Sequence, residues 1–315
     1  MFVHNIDPVI GKLGPFYLWW YGLSYTIGFL EAHFWMMRAR HRLQLSVNDV
    51  YSLSVLFALF VLLGGRMVEV VFYEWAFYRM HPGLILAYWL GGMSTHGLLL
   101  GAIFAIWLFC RIYHQPFLVI ADELVVPGAF IMGMGRIGNF IDGQIVGPET
   151  NVWWAVKFPD APGFRHPVVL YDGLKNLLLI PVLLLIRKSK PHPGIVTAYF
   201  IFLYAFFRLF VDLFRDYPTS LWGLATGQSL NLIMTFTGAA MLFILSRKPS
   251  DSPILTSQMA APNESHLQIW MKRAAFALLL VFSLILPSDW TQDIPQRYGK
   301  RHPDMEYSWL YPKLQ

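Results

Sequence analysis

The sequence predicts an all-α, polytopic integral membrane protein with seven transmembrane helices, an eighth shorter one, and its N-terminus outside. Three observations predict it. Hydrophobic residues make up 56% of the 315 and charged residues only 14%, against about 25% charged in a soluble domain. Mean hydropathy is +0.47. Long apolar runs recur between short polar ones, and a hydrocarbon core about 30 Å thick needs roughly 20 such residues per helix. With 12 Trp, 25 Phe and 15 Tyr, both a soluble enzyme and a disordered linker are excluded.

The elements follow in chain order. Residues 1–15 are mostly polar and turn-rich, so no cleavable signal peptide is expected. The predicted spans are Phe16–Met37, Val50–Tyr73, Leu84–Cys110, Pro116–Ile141, Pro167–Ile186, Gly194–Phe214 and Gly227–Leu245. An eighth run, Ala274–Leu286, stops at Pro287. It covers roughly 20 Å and crosses only if Trp270 to Arg273 extend it by snorkelling; lying in the interface is the alternative. The expected division is a seven-helix membrane core over 1–248 and a C-terminal extension over 249–315, ending in an aromatic and basic tail that contains Trp290 and Trp309.

Orientation comes from Lys and Arg in alternate loops. Arg38, Arg40, Arg42, Arg111, Arg187, Lys188, Lys190, Arg247, Lys248, Lys272 and Arg273 fall on one side. Lys12, Arg79, Lys157, Arg165 and Arg215 fall on the other, so the first side is cytoplasmic; if the eighth run crosses, Arg297, Lys300, Arg301 and Lys313 of the tail oppose the rule. A single cysteine, Cys110, excludes a disulfide framework or a multi-cysteine metal site.

Ionisable groups inside spans are expensive and mark function by default. At 1.5 Å per residue, Arg66, Arg208 and Arg136 lie roughly 24, 21 and 30 Å from the cytoplasmic side. His96 falls near mid-membrane in the third span, and Tyr21 about a turn inside the outer end of the first. Three arginines, a histidine and a tyrosine can thus meet in the outer half. Asp212 shares a helical stripe with Arg208 and Arg215, and Glu69 follows Arg66 by three. Mutual neutralisation is one reading of these pairs. Arg136 has no acid three or four residues away within its span. Because Arg grips phosphate through a planar fork, that arginine points to a phospholipid headgroup. Gly133, Gly135 and Gly138 around it fit either close ligand approach or helix packing, and Asn139 shares its face. His96 suits a base or a hydrogen bond to a neighbouring helix. No second ligand stands at metal spacing in its span.

The same residues carry a family pattern. Leu18-Trp19-Trp20-Tyr21-Gly22, Gly64-Gly65-Arg66, Gly91-Gly92-Met93-Ser94-Thr95-His96-Gly97, Gly135-Arg136-Ile137-Gly138-Asn139-Phe140, Arg165-His166-Pro167 and Phe207-Arg208 resemble the bacterial prolipoprotein diacylglyceryl transferases over about residues 7 to 247. The resemblance implies seven spans in the bacterial inner membrane and a site in the outer half. It implies transfer of diacylglyceryl from phosphatidylglycerol to the lipobox cysteine of a prolipoprotein, giving a thioether and glycerol 1-phosphate, with no cofactor, metal or nucleic acid. By position, Arg136 and Arg208 hold the phosphate beside Asn139, and Tyr21 and His96 line the site, His96 as candidate base for the thiol. Arg66, Gln144 and His166 join the phospholipid-binding set, and Asp142 the catalytic one.

The chain departs from the pattern in places. Where the family usually reads Asn-Gly-Glu, it has Asp142-Gly143-Gln144, and an amide cannot take a proton as a carboxylate would. Val168-Val169 replaces Ser-Gln after His166-Pro167, Asp172 and Asp212 stand for longer acids, and Leu90 for an Asp. Either Asp142 compensates for Gln144 in a working transferase, or the chain is a divergent paralogue that binds phospholipid or a lipoprotein partner without this turnover. A transporter would need a charged route into the cytoplasmic half, and none is evident there.

Overall fold

The computed structural model describes residues 1–189, 191–215, 226–247, 265–288 and 293–314. Lys190, Lys248 and Trp290 therefore lie outside the described residues. Among these, six helices are long and apolar enough to cross a membrane. The chain forms two compact units, Met1–Asn5 with Leu118–Ile254, and Ile6–Phe117 with Leu255–Gln315.

The second of these begins with a hairpin of β2 (Val9–Leu13) and β3 (Phe16–Trp19), turned at Gly14, whose φ of +56° suits a residue without Cβ. The chain passes directly into α1 (Trp20–Ala39). α2 (Val47–Val68) opens on a capping box in which Ser46 Oγ accepts from Asp49 N and Asp49 accepts from Ser46 N. It ends in a π-turn, Glu69–Tyr73, and the short α3 (Trp75–Tyr78). α4 (Thr95–Ile112) packs on α2 through glycine. A Cβ on Gly101 would strike the Phe60 carbonyl, and one on Gly97 the carbonyl of Gly64. Small residues give such backbone proximity inside membranes.

The third span was expected from Leu84 but starts at Thr95. Residues 82–94 are instead two short 3-10 turns, Pro82–Leu84 and Tyr88–Leu90, joined and followed by irregular chain. Pro82 removes a backbone donor, Gly91 and Gly92 take φ of +82° and +86°, and a helix cannot continue through them. His96 consequently sits in the first turn of α4 rather than mid-span.

α9 (His266–Ser283) is longer than the expected eighth run and begins eight residues earlier, capped by Ser265 and Gln268. Its 18 residues cover about 27 Å. It runs antiparallel to α1. A Cβ on Gly22 would meet the carbonyls of Ser283 and Leu284, Thr26 Oγ1 lies 2.6 Å from Ser283 Oγ, and the His33 ring is 4.9 Å from that of Phe276. Beyond it, α10 (Ile294–Tyr298) and the tail to Leu314 cover the hairpin in a buried cluster with Val9, Tyr17 and Trp19.

The other unit pairs β1 (Phe2–Val3) in parallel with β4 (Val156–Lys157). These strands and the hairpin are short β elements that an all-α reading does not include. Four helices make the body: α5 (Phe117–Ile141), α6 (Val168–Lys188), α7 (Ile195–Asp212) and α8 (Thr226–Ser246). Asp122 on α5 caps α7, taking Gly194 N, Thr197 N and Thr197 Oγ1 at 2.6–2.7 Å. At the same end Arg187 pairs with Glu123 at 2.6 Å. The C-terminal ends of α5 and α7 and the N-terminal end of α6 thereby fall on one side of this unit, which decides where their charges meet.

Candidate functional site

Arg136, near the end of α5, is not the unmatched arginine its own span suggests. Its Nε donates to Asp172 Oδ2 of α6 at 2.6 Å, and its Nη1 to Asn139 Oδ1 at 3.1 Å. Arg208 of α7 donates to the same Asp172 oxygen, and Lys175 reaches Asp172 Oδ1 at 3.1 Å. Arg208 Nε also binds Asp212 at 3.0 Å, as the one-stripe spacing predicts, with Arg215 3.8 Å away and Asn231 Nδ2 donating to Asp212 at 3.0 Å. Among the described residues, four cations thus meet on two carboxylates in one ion-pair network. Asp172 and Asp212 are each only 2% exposed.

Buried charge is costly unless paired, and the guanidinium groups gathered here are of the kind that grips phosphate through a planar fork. The glycines divide between the two readings the sequence leaves open. Gly133 packs on Leu177 and the Gly173 carbonyl, whereas a Cβ on Gly135 would meet nothing within 4 Å. One is a helix contact and the other leaves room.

The turn after α5 is tightly wound. Gly143 and Ile145 both have positive φ, +71° and +59°. The left-handed region is strained for a β-branched residue such as Ile145. The turn returns Gln144 N to the Asn139 carbonyl at 3.0 Å and keeps Asp142 and Gln144 buried beside α5. Strain of this kind is held only where surrounding structure demands it.

His166 precedes α6, with Nδ1 2.9 Å from the Tyr171 hydroxyl, to which Trp154 Nε1 donates at 2.7 Å. These three side chains, with Phe210, Val211 and Phe214, line an open aromatic cleft of about 290 Å³. Tyr171 and Val211 directly precede Asp172 and Asp212, so the cleft adjoins the ion network.

Tyr21, Arg66 and His96 belong to the other unit. Tyr21 is buried, its hydroxyl 2.9 Å from that of Tyr25. His96 is half-buried, with Nδ1 3.2 Å from the Tyr73 hydroxyl. Arg66 is fully buried and donates to five backbone carbonyls, Nε to Ile85, Nη1 to Gly91 and Gly92, Nη2 to Leu84 and Ala87, and it also hydrogen-bonds the Tyr78 side chain. Its guanidinium also lies over the rings of Tyr78 and Tyr88 at 5.0 and 5.6 Å. In this arrangement it organises the 82–92 loop and has no N–H left for a headgroup.

Lys175 and Asn231 are the participants that sequence reasoning missed, and Asp172 was noted only as a shortened acid. An acid and a base three residues apart inside one apolar span, Asp172 and Lys175, were the available signal.

A family model described as prolipoprotein diacylglyceryl transferase matches residues 8–244. The chain is 38% identical over 252 residues to the phosphatidylglycerol–prolipoprotein diacylglyceryl transferase of Geobacter sulfurreducens, covering 78% of this chain and 97% of that protein. It is 38% identical over 257 residues to the enzyme of that name from Nitrosomonas europaea, with 77% and 91% covered. The Legionella pneumophila (strain Lens) enzyme of that name is 39% identical over 249 residues, with 74% and 95% covered. The chain belongs to the prolipoprotein diacylglyceryl transferase family.

Proposed function

We propose that this chain moves diacylglyceryl from phosphatidylglycerol to the thiol of a prolipoprotein lipobox cysteine. The single observation that carries the reading is the cation-rich network of Arg136, Lys175, Arg208 and Arg215 on Asp172 and Asp212, built on helices apolar enough to cross a membrane.

In the proposed reaction the thiol sulfur bonds to the terminal glycerol carbon of the diacylglyceryl group as that carbon's bond to the phosphate oxygen breaks. The thioether forms and glycerol 1-phosphate leaves with the bonding pair. The thiol proton passes to a base, for which His96 is the candidate, because the thiolate and not the thiol is the nucleophile. Arg136 and Arg208 bind the phosphate and stabilise charge growing on the leaving oxygen, with Asn139 orienting Arg136. Asp142 supplies the carboxylate of the turn in which Gln144 is an amide. Tyr21, His166 and Gln144 contact substrate, and Arg66 acts by holding the loop before His96. Exclusion of water from the site protects the thiol reaction from hydrolysis. No metal or cofactor enters these steps.

The accompanying topology is seven spans with the N-terminus outside a bacterial inner membrane and the site in its outer half. The core is 1–248 and the extension 249–315. The end of α9 packs against the start of α1, since Trp19 N donates to the Leu284 carbonyl at 2.9 Å. With α1 entering from outside, this supports α9 as an eighth crossing.

The test is purified protein in phosphatidylglycerol vesicles with a lipobox peptide. A diacylglyceryl mass gain on the cysteine, matched by glycerol 1-phosphate release, is expected. No gain, in an assay where the Legionella relative modifies the peptide, would overturn the reading.

A further inference from the structure

The part of the chain beyond the family match contacts the loop that leads into His96. Two grips act on residues 84–92 from different directions. Arg66 takes five of the loop's carbonyls, as described. The C-terminal extension takes its side chains: Phe282 of α9 meets Tyr88 edge-on at 5.2 Å, Trp89 Nε1 donates to the Leu310 carbonyl at 2.8 Å, and Ala87 and Leu90 are buried in the tail's apolar cluster. Tyr88 therefore contacts both the Arg66 guanidinium and Phe282. The tail is itself tied to the N-terminal hairpin, because the Tyr311 hydroxyl accepts from Tyr17 N at 3.1 Å and His302 pairs with Asp7 at 2.9 Å. Immediately after the gripped segment, Ser94 N donates to the Gly65 carbonyl, Ser94 Oγ caps α4 by accepting from Gly97 N, and His96 occupies the first turn.

We propose that the C-terminal tail is a positioning element for His96: it forms the outer half of a clamp, with Arg66 as the inner half, that fixes the 84–92 loop and hence the register of the α4 start. The positioning residues are Trp89, Tyr311 and Phe282. None touches substrate in this account; each acts through the loop. The proposal rests on the transfer reading for its consequence in catalysis, while its structural half stands independently.

The experiment compares the full chain with one stopped after residue 292, which keeps α9, and with the milder Trp89→Phe and Tyr311→Phe chains. Amide hydrogen exchange over residues 84–94 is read together with kcat and KM for phosphatidylglycerol and a lipobox peptide. The stopped chain should exchange faster over 84–94 with α2 and α4 unchanged, and its kcat should fall while KM for phosphatidylglycerol holds. Trp89→Phe loses one hydrogen bond and should lower kcat roughly threefold to tenfold. Adding a peptide of residues 293–314 to the stopped chain should restore both readouts in part. Unchanged exchange in the stopped chain and in Trp89→Phe overturns the clamp, whether or not the parent is active. Faster exchange with full kcat overturns the role in positioning His96. An inactive parent overturns the transfer reading and leaves the exchange result to decide the clamp.

Discussion

Arg136 of α5 and Arg208 of α7 donate to the same carboxylate oxygen, Oδ2 of Asp172. Two guanidinium groups that would repel each other are held together by one buried acid, with Lys175 on its other oxygen.

Removing the shared acid should release that stored repulsion. Asp172→Asn leaves Arg136, Lys175 and Arg208 facing a neutral amide, and breaking a buried ion pair in this way costs about 3–5 kcal/mol. A lowered thermal unfolding midpoint in detergent is the readout. Asp172→Glu keeps the charge and should recover most of the loss.

The turn after α5 offers a second prediction. Asp142 is fully buried, and Gln144 beside it cannot carry a proton as an acid would. If Asp142 supplies the missing carboxylate function, Asp142→Asn should lower kcat by about 10² or more, the scale of a general acid or base. Asp142→Asn combined with Gln144→Glu should regain activity. A silent Asp142→Asn would remove this group from the mechanism.

Packing between α2 and α4 should be intolerant of a single methyl. Gly101→Ala places a Cβ against the Phe60 carbonyl, and backbone cannot yield as a flexible side chain can. A loss of about 1–3 kcal/mol is expected, measured by thermal unfolding. Gly128→Ala, where nothing lies within 4 Å, should be close to neutral.

The tail should respond to alkaline pH through Tyr311. Burial pushes its phenol up to about 12 from an ordinary 10.0. The docked tail thus favours the neutral form, so this contribution is complete below pH 10 and is lost as pH rises toward 12. Exchange protection in residues 84–94, measured relative to the intrinsic base-catalysed rate, should fall across that window in the native chain. In Tyr311→Phe that pH-dependent loss of protection should be absent.

Membrane architecture was legible because it rests on long apolar periods. Most helix bounds fall within a few residues of the expected runs, as with Phe117–Ile141 for Pro116–Ile141. The third span failed for a reason equally present in the sequence: hydropathy counts Leu84 to Leu90 as apolar, yet Pro82, Gly91 and Gly92 break the helix. Arg66 then satisfies the loop's carbonyls, a long-range contact no local window contains. The Arg208–Asp212–Arg215 stripe was legible because helical spacing is local. The partner of Arg136 was not, since Asp172 lies 36 residues away on another helix. The short strands were missed because two-residue pairings such as β1 with β4 depend on tertiary contacts rather than alternation.

The claim at the centre of the account is that Arg136 and Arg208 bind the phosphate of phosphatidylglycerol. Equilibrium binding of phosphatidylglycerol and of diacylglycerol with identical chains, to the parent and to Arg136→Ala and Arg208→Ala, tests it most directly. The parent should prefer the phosphate-bearing lipid by roughly tenfold or more, the worth of charge-assisted hydrogen bonds, and each variant should lose that preference while still binding diacylglycerol. A preference undiminished in both variants would contradict the account.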